Sequence, residues 1–149
     1  MDIILDMVVQ SCNIKRLVVE NDPMEKGERA LLNYGHTLGH AIEKIMDFQL
    51  LHGECVAIGC ILASIISKNK GFLTAEEVAD ITKSFQVFGF EPLPKEIDIS
   101  AIIKATKNDK KMKAGRIKFV LLNKIGEAYI DSNVSDQDME NAIQELLAN

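Results

Sequence analysis

The stretch Arg29-Ala30-Leu31-Leu32-Asn33-Tyr34-Gly35-His36-Thr37-Leu38-Gly39-His40-Ala41-Ile42-Glu43 is apolar-rich, yet it carries a cation, an amide and two imidazoles at regular intervals. Arg29, Asn33, His36 and His40 follow one another at steps of four, three and four residues. At about 100° per residue, a helix places those side chains within a stripe roughly 60° wide. Glu43 extends the row by a further step of three, and His52, the third and last histidine, follows in Leu51-His52-Gly53-Glu54. Upstream, Asp22-Pro23-Met24-Glu25 reads as the start of the helix that bears the stripe, with Asp22 as cap, Pro23 in the first turn and Glu25 reaching back. Gly27, Gly35 and Gly39 each cost such a helix about 1 kcal/mol relative to Ala, so close backbone approach is expected there.

The flanking segments predict a mainly helical fold. Ile4, Met7, Val8, Leu17 and Val18 recur at near-helical spacing, giving an amphipathic first helix whose regularity weakens by Asn13. Glu54 to Asn69 is apolar almost all round and therefore predicts a helix enclosed by others, stopped at Gly71. Thr74-Ala75-Glu76-Glu77 is a capping box opening a helix with Val78, Ile81, Phe85 and Phe88 on its inner face. Asp98 or Ser100 caps a short helix leading into the basic cluster Lys104, Lys107, Lys110, Lys111 and Lys113. Arg116–Leu122 and Glu127–Ile130 read as one β-hairpin, and Ser135 opens a last helix with Met139, Ile143, Leu146 and Leu147 inward. There is no βαβ alternation and no internal repeat.

Length and charge narrow the function classes. A chain of 149 residues with 47% hydrophobic and 26% charged residues suits a single globular domain spanning 1–149 rather than a disordered tract. The formal net charge of −5 argues against general nucleic-acid binding and leaves any anionic ligand dependent on a local basic pocket. Cys12, Cys55 and Cys60 are odd in number, lack CxxC spacing and lie in apolar stretches, so they are expected to be buried thiols in a reducing compartment. Asp2 and Asp6 stand where a secretory signal would be positive, and the apolar run from Cys55 to Ile66 is short for a bilayer; a cytoplasmic location with no membrane partner is expected.

The i, i+4 spacing of His36 and His40 suits a zinc-sized cation, although such pairs on helices are more often solvated or satisfied within a core. Arg29 offers a planar fork for carboxylate or phosphate, and Asn33 a neighbouring amide. A metal beside them would polarise oxygens of the same molecule. Together they point to a small, oxygen-rich anion. Lys15, Lys110 and Lys111 could add positive charge, although lysine runs are commonly solvated faces. Glu25 could be a substrate acceptor or a capping carboxylate. Walker, GxGxxG, nucleophile-elbow and Ser/His/Asp patterns are absent, which leaves metal, anion-binding and proton-transfer chemistry.

The run Arg29–Glu43 closely resembles the signature of the 3-dehydroquinate synthase family. His52-Gly53-Glu54-Cys55-Val56-Ala57-Ile58-Gly59 resembles that family's HGE-x-VAIG element, and Asp109-Lys110-Lys111 its DKK element. Lys15 with Asp22, Glu25 and Gly27 resembles the segment preceding the long motif. Pro23 departs from the acidic residue common there. The resemblance implies the multihelical C-terminal domain of a larger two-domain enzyme with one small hairpin. That enzyme converts 3-deoxy-D-arabino-heptulosonate 7-phosphate to 3-dehydroquinate and phosphate in the shikimate route to aromatic amino acids. In the family, NAD transiently oxidises a ring hydroxyl, phosphate is eliminated, the carbonyl is reduced again, and ring opening precedes aldol closure.

Carried over by motif, the resemblance implies His36 and His52 as ligands of a divalent metal, zinc or cobalt. It makes His40 a substrate contact that helps move protons, with Glu25 and Lys15 beside it in catalysis. Arg29, Asn33, Lys110 and Lys111 become the anion-holding groups. NAD would be held mainly by the family's N-terminal half, which this sequence lacks, together with the AE-containing segment whose glutamate is the third metal ligand. The metal would then be completed by water, Glu43, Glu54 or another molecule, and the chain alone is expected to be inactive. A homodimer is implied for the whole enzyme. Two alternatives remain: a related sugar-phosphate cyclase of the 2-deoxy-scyllo-inosose synthase type, and a non-catalytic helical module that binds a metal or partner.

Overall fold

A computed structural model describes residues 3–24, 27–47, 49–90, 93–107 and 117–148. These fall into two compact units, residues 1–32 and residues 33–149. The first unit holds α1 (Ile3–Asn21), one uninterrupted helix that continues through Asn13, where a loss of regularity was expected. Most of its apolar side chains are exposed, Ile3, Ile4, Val8 and Ile14 among them. Cys12 is exposed as well, contrary to the expectation of a buried thiol, because α1 buries none of its residues.

No single helix carries the stripe from Arg29 to His40. Glu28–Asn33 forms a short 3-10 helix, the chain turns at Tyr34 and Gly35, and α2 (His36–Ile45) begins afresh. Asp22 does act as a cap, but of the turn that precedes the 3-10 segment: its Oδ2 accepts from the backbone N–H of Gly27 at 2.8 Å and of Arg29 at 3.1 Å. The break has a steric cause. Gly35 sits at φ +77°, and a Cβ there would meet Cys60 N at 2.6 Å and Val56 O at 2.8 Å. The chain therefore turns at the residue that lies against α3, and the helical register of the stripe is lost.

In the second unit the organising element is α3 (His52–Asn69), with twelve buried residues from Cys55 to Ser67. It packs against α2, α4 (Ala75–Gln86), β1 (Phe119–Lys124) and α6 (Asp136–Ala148), as its all-round apolar character requires. Leu62, Ile66, Leu38, Ile42, Ile102, Leu121, Met139 and Ile143 are almost fully enclosed. Burial of each such side chain contributes about 1.5–3 kcal/mol. Thr74 and Glu77 form the expected reciprocal cap of α4, and Gly89 follows its end at φ +76°. Phe88 departs from the expected inner face: it lies past the last helical residue and is 52% exposed.

Asp98, rather than Ser100, caps α5 (Ile99–Lys107), its Oδ1 accepting from Ala101 N at 3.0 Å. The strand β1 pairs antiparallel with β2 (Glu127–Asp131) around a tight Ile125-Gly126 turn, and the hairpin is tied to α3 where Ser67 Oγ accepts from Leu122 N at 3.0 Å. Ser135 and Asp138 cap α6 reciprocally. Among the described residues no helix is long and apolar enough to cross a membrane.

The packing of α2 on α3 runs backbone to backbone. A Cβ on Gly59 would lie 1.9 Å from Gly35 O and 2.8 Å from Gly39 N, and one on Gly39 would lie 2.8 Å from Cys55 O. Close approach therefore explains Gly35 and Gly39 but not Gly27, whose Cβ would meet only Asp22 Oδ2 at 3.9 Å. Gly59→Ala must push the two helices apart and is expected to destabilise the second unit by about 3 kcal/mol in urea unfolding. Gly53→Ala, where a Cβ meets nothing within 4 Å, serves as the unperturbed control.

Candidate metal centre

The glycine seam lays α2 antiparallel along the N-terminal half of α3, Gly35 beside Gly59 and Cys60, Gly39 beside Cys55. His36 and His40 lie one turn apart on α2, and His52 is the first residue of α3. Their ring centroids are 5.3 Å apart for His36–His40, 5.9 Å for His36–His52 and 5.5 Å for His40–His52. One ligand nitrogen from each ring lies within 4.8 Å of the other two. His36 and His40 are half-buried, whereas His52 is exposed.

Two of the rings are held by their Nδ1 atoms. His36 Nδ1 lies 3.1 Å from the Tyr34 carbonyl oxygen. His52 Nδ1 lies 3.2 and 3.3 Å from the two carboxylate oxygens of Glu43, one further turn along α2. Tyr34 is itself fastened to α3. Its hydroxyl meets Ser64 Oγ at 2.6 Å and Cys60 O at 3.0 Å, while its carbonyl also accepts from Cys60 Sγ at 3.6 Å. Burial drives the Tyr34 phenol well above its usual range and pushes the Cys60 thiol up to about 12.

The donor chemistry suits a borderline divalent cation such as zinc or cobalt, which imidazole binds well. Tetrahedral zinc, with bonds of about 2.0–2.1 Å, needs donors about 3.4 Å apart. The candidate nitrogens, all within 4.8 Å of one another, would draw in by up to about 1.4 Å to reach that spacing. Neither carboxylate expected to complete the coordination is directed there: Glu43 stands behind His52, and Glu54 Oε2 accepts from Leu51 N at 2.7 Å as part of the cap of α3. Among the described residues the cluster that could hold a metal consists of the three histidines alone.

The other expected site residues are distributed as follows. Asn33 closes the 3-10 segment in the second unit. Lys15 is exposed on α1, and Arg29, half-buried in the first unit, donates to the Pro23 carbonyl at 2.9 Å. Glu25, Lys110 and Lys111, together with Asp109 and Arg116, lie outside the described residues. Tyr34, Ser64 and Cys60 have roles that the sequence did not announce, since a tyrosine before a glycine and two small residues on an apolar helix read as core.

The helical arrangement is that of the sugar-phosphate cyclases. The family model described as 3-dehydroquinate synthase C-terminal matches residues 1–112, and the chain belongs to that family. A 3-dehydroquinate synthase from Dehalococcoides mccartyi (strain CBDB1) is 39% identical over 145 residues, covering 97% of this chain and 40% of the relative. One from Legionella pneumophila subsp. pneumophila is 37% identical over 139 residues, covering 92% and 38%. The chain thus spans about two fifths of the length of the curated relatives it matches.

Among solved structures, ValA, a 2-epi-5-epi-valiolone synthase from Streptomyces hygroscopicus subsp. jinggangensis 5008 with NAD+ and Zn2+ bound, shares the fold at TM-score 0.85 and 22% identity. That match covers 97% of this chain and 40% of ValA. A 2-deoxy-scyllo-inosose synthase complexed with carbaglucose-6-phosphate, NAD+ and Co2+ matches at TM-score 0.71 and 25% identity, over 81% of this chain and 36% of that one.

The Tyr34–Cys60 seam sets an alkaline limit on stability. Unfolded, the Cys60 thiol ionises near its ordinary value of 9.0; folded, it stays protonated until about 12. Above pH 9 the unfolded chain therefore binds fewer protons than the folded one, and stability falls as pH rises. This thiol contributes a loss approaching about 1.4 kcal/mol per pH unit. Urea unfolding of wild type and Cys60→Ala between pH 8 and 10 is expected to show the steeper decline in wild type.

Proposed function

We propose that this chain forms the metal- and substrate-binding portion of a 3-dehydroquinate synthase, the enzyme that turns 3-deoxy-D-arabino-heptulosonate 7-phosphate into 3-dehydroquinate and phosphate in the shikimate pathway. The observation that carries this reading is the convergence of His36, His40 and His52 from two helices onto one point, in a chain with relatives of that name at 37–39% identity. His36 and His52 hold the divalent metal. The ion, when bound, supplies Lewis acidity to a substrate oxygen. His40, in the same cluster, contacts the substrate and moves a proton.

Lys15 and Glu25 complete the catalytic set, and Arg29, Asn33, Lys110 and Lys111 hold the carboxylate and phosphate of the substrate. In a chain of net charge −5, such a doubly anionic ligand depends on cations gathered locally. NAD, carried by the cyclases of similar fold, would be held mainly by parts of the synthase beyond these residues, so the chain by itself is inactive. The working enzyme is a cytoplasmic homodimer. A sugar-phosphate cyclase that forms an inositol-like ring from a hexose phosphate is the second reading, supported by the fold shared with 2-deoxy-scyllo-inosose synthase.

The test is to join the chain to the remaining portion of a synthase and follow phosphate release with NAD and zinc. Release from the heptulosonate phosphate is the expected result. Release from a hexose phosphate alone would favour the second reading, and release from neither contradicts both. His40→Ala is expected to lower kcat by about 10²–10⁴-fold while metal content is retained. His36→Ala and His52→Ala are expected to lose the metal, measured by elemental analysis after dialysis.

A further inference from the structure

We infer that Glu43 and the Tyr34 carbonyl are positioning groups that fix His36 and His52 in one tautomer, with Nδ1 protonated and Nε2 bare. The inference deepens the proposed metal site but rests on hydrogen-bond chemistry that exists without any ion. A carbonyl oxygen and a carboxylate can only accept. The Nδ1 atom that faces each of them, at 3.1 Å from Tyr34 O and 3.2 Å from Glu43 Oε1, must therefore carry the proton of a neutral ring. Each ring then keeps its lone pair on Nε2. Neutral histidine in water favours the opposite tautomer, so the Tyr34 turn and α2 impose a state that the side chains do not choose unaided.

The two supports differ in what they contribute. Tyr34 is clamped to α3 through its hydroxyl and through its carbonyl, so the acceptor for His36 is part of the packed seam. His52 has no such enclosure: its side chain is 55% exposed, while that of Glu43 is only 19% exposed. A side chain so open to water needs a tether to stay in one rotamer, and the Glu43 carboxylate is a tether placed at the correct nitrogen. Its negative charge also strengthens the imidazole as a donor toward a cation, the arrangement found behind metal-ligating histidines generally. Glu43 thus acts through His52 and is not itself a ligand.

Long-range ¹H–¹⁵N correlation spectra of the metal-free chain at pH 8 test this directly. His36 and His52 are expected to show a protonated Nδ1 and an unprotonated Nε2. Glu43→Ala should return His52 to a mixture rich in the Nε2–H form while leaving His36 unchanged, and Glu43→Gln, which can still accept through its carbonyl oxygen, should hold the Nδ1–H form. Titration with Co2+ should show affinity weakened 10- to 100-fold in Glu43→Ala and less in Glu43→Gln.

A merely structural ion pair would lower the melting temperature of both variants and leave tautomer and Co2+ affinity of the folded chain untouched; that result overturns the inference. So does a wild-type His52 that carries its proton on Nε2. If the tautomers are as stated but wild type takes up no Co2+, the positioning stands and the metal site falls.

Discussion

The contact on which the second unit depends is the meeting of two helix backbones at Gly35, Gly39 and Gly59. No side chain separates them there, and a methyl group on Gly59 would stand 1.9 Å from Gly35 O. That closeness has two consequences. It forces the chain into a left-handed turn at Gly35, so that α2 starts at His36 rather than several residues earlier. It also lays α2 antiparallel along the N-terminal half of α3, which is why histidines sixteen residues apart in sequence have rings 5.9 Å apart.

The same seam carries the site's second layer. Tyr34 spans it, joining Ser64 and Cys60 on α3 to the backbone oxygen that faces His36. Glu43 spans it in the other direction, from α2 to His52. Packing and chemistry are therefore not separable here. α3 itself supplies the largest share of the apolar burial, and the glycine contact determines where the imidazoles point.

Much of this was legible in the sequence because the signals were local. The capping boxes at Thr74 and Ser135, the all-round apolar α3 and the hairpin around Gly126 each follow from a few neighbouring residues and were found close to where they were expected. The cost of Gly35 and Gly39 correctly indicated close approach, but their partner Gly59 lies in another helix, and sequence spacing cannot show which surfaces meet. For that reason spacing alone predicts one helix for the stripe, whereas tertiary packing breaks it at Gly35. The three histidines were legible as a group. Their supports were not, since Tyr34 acts through its carbonyl and Glu43 could be seen only as one more residue in a row.

The central claim is that the two helices hold their imidazoles on one metal ion. X-ray absorption at the zinc edge, on the chain loaded with one equivalent of zinc, examines that ion and its neighbours directly. The account predicts nitrogen and oxygen donors at about 2.0–2.1 Å with outer-shell scattering from at least two imidazole rings. A spectrum with one ring or none would contradict it.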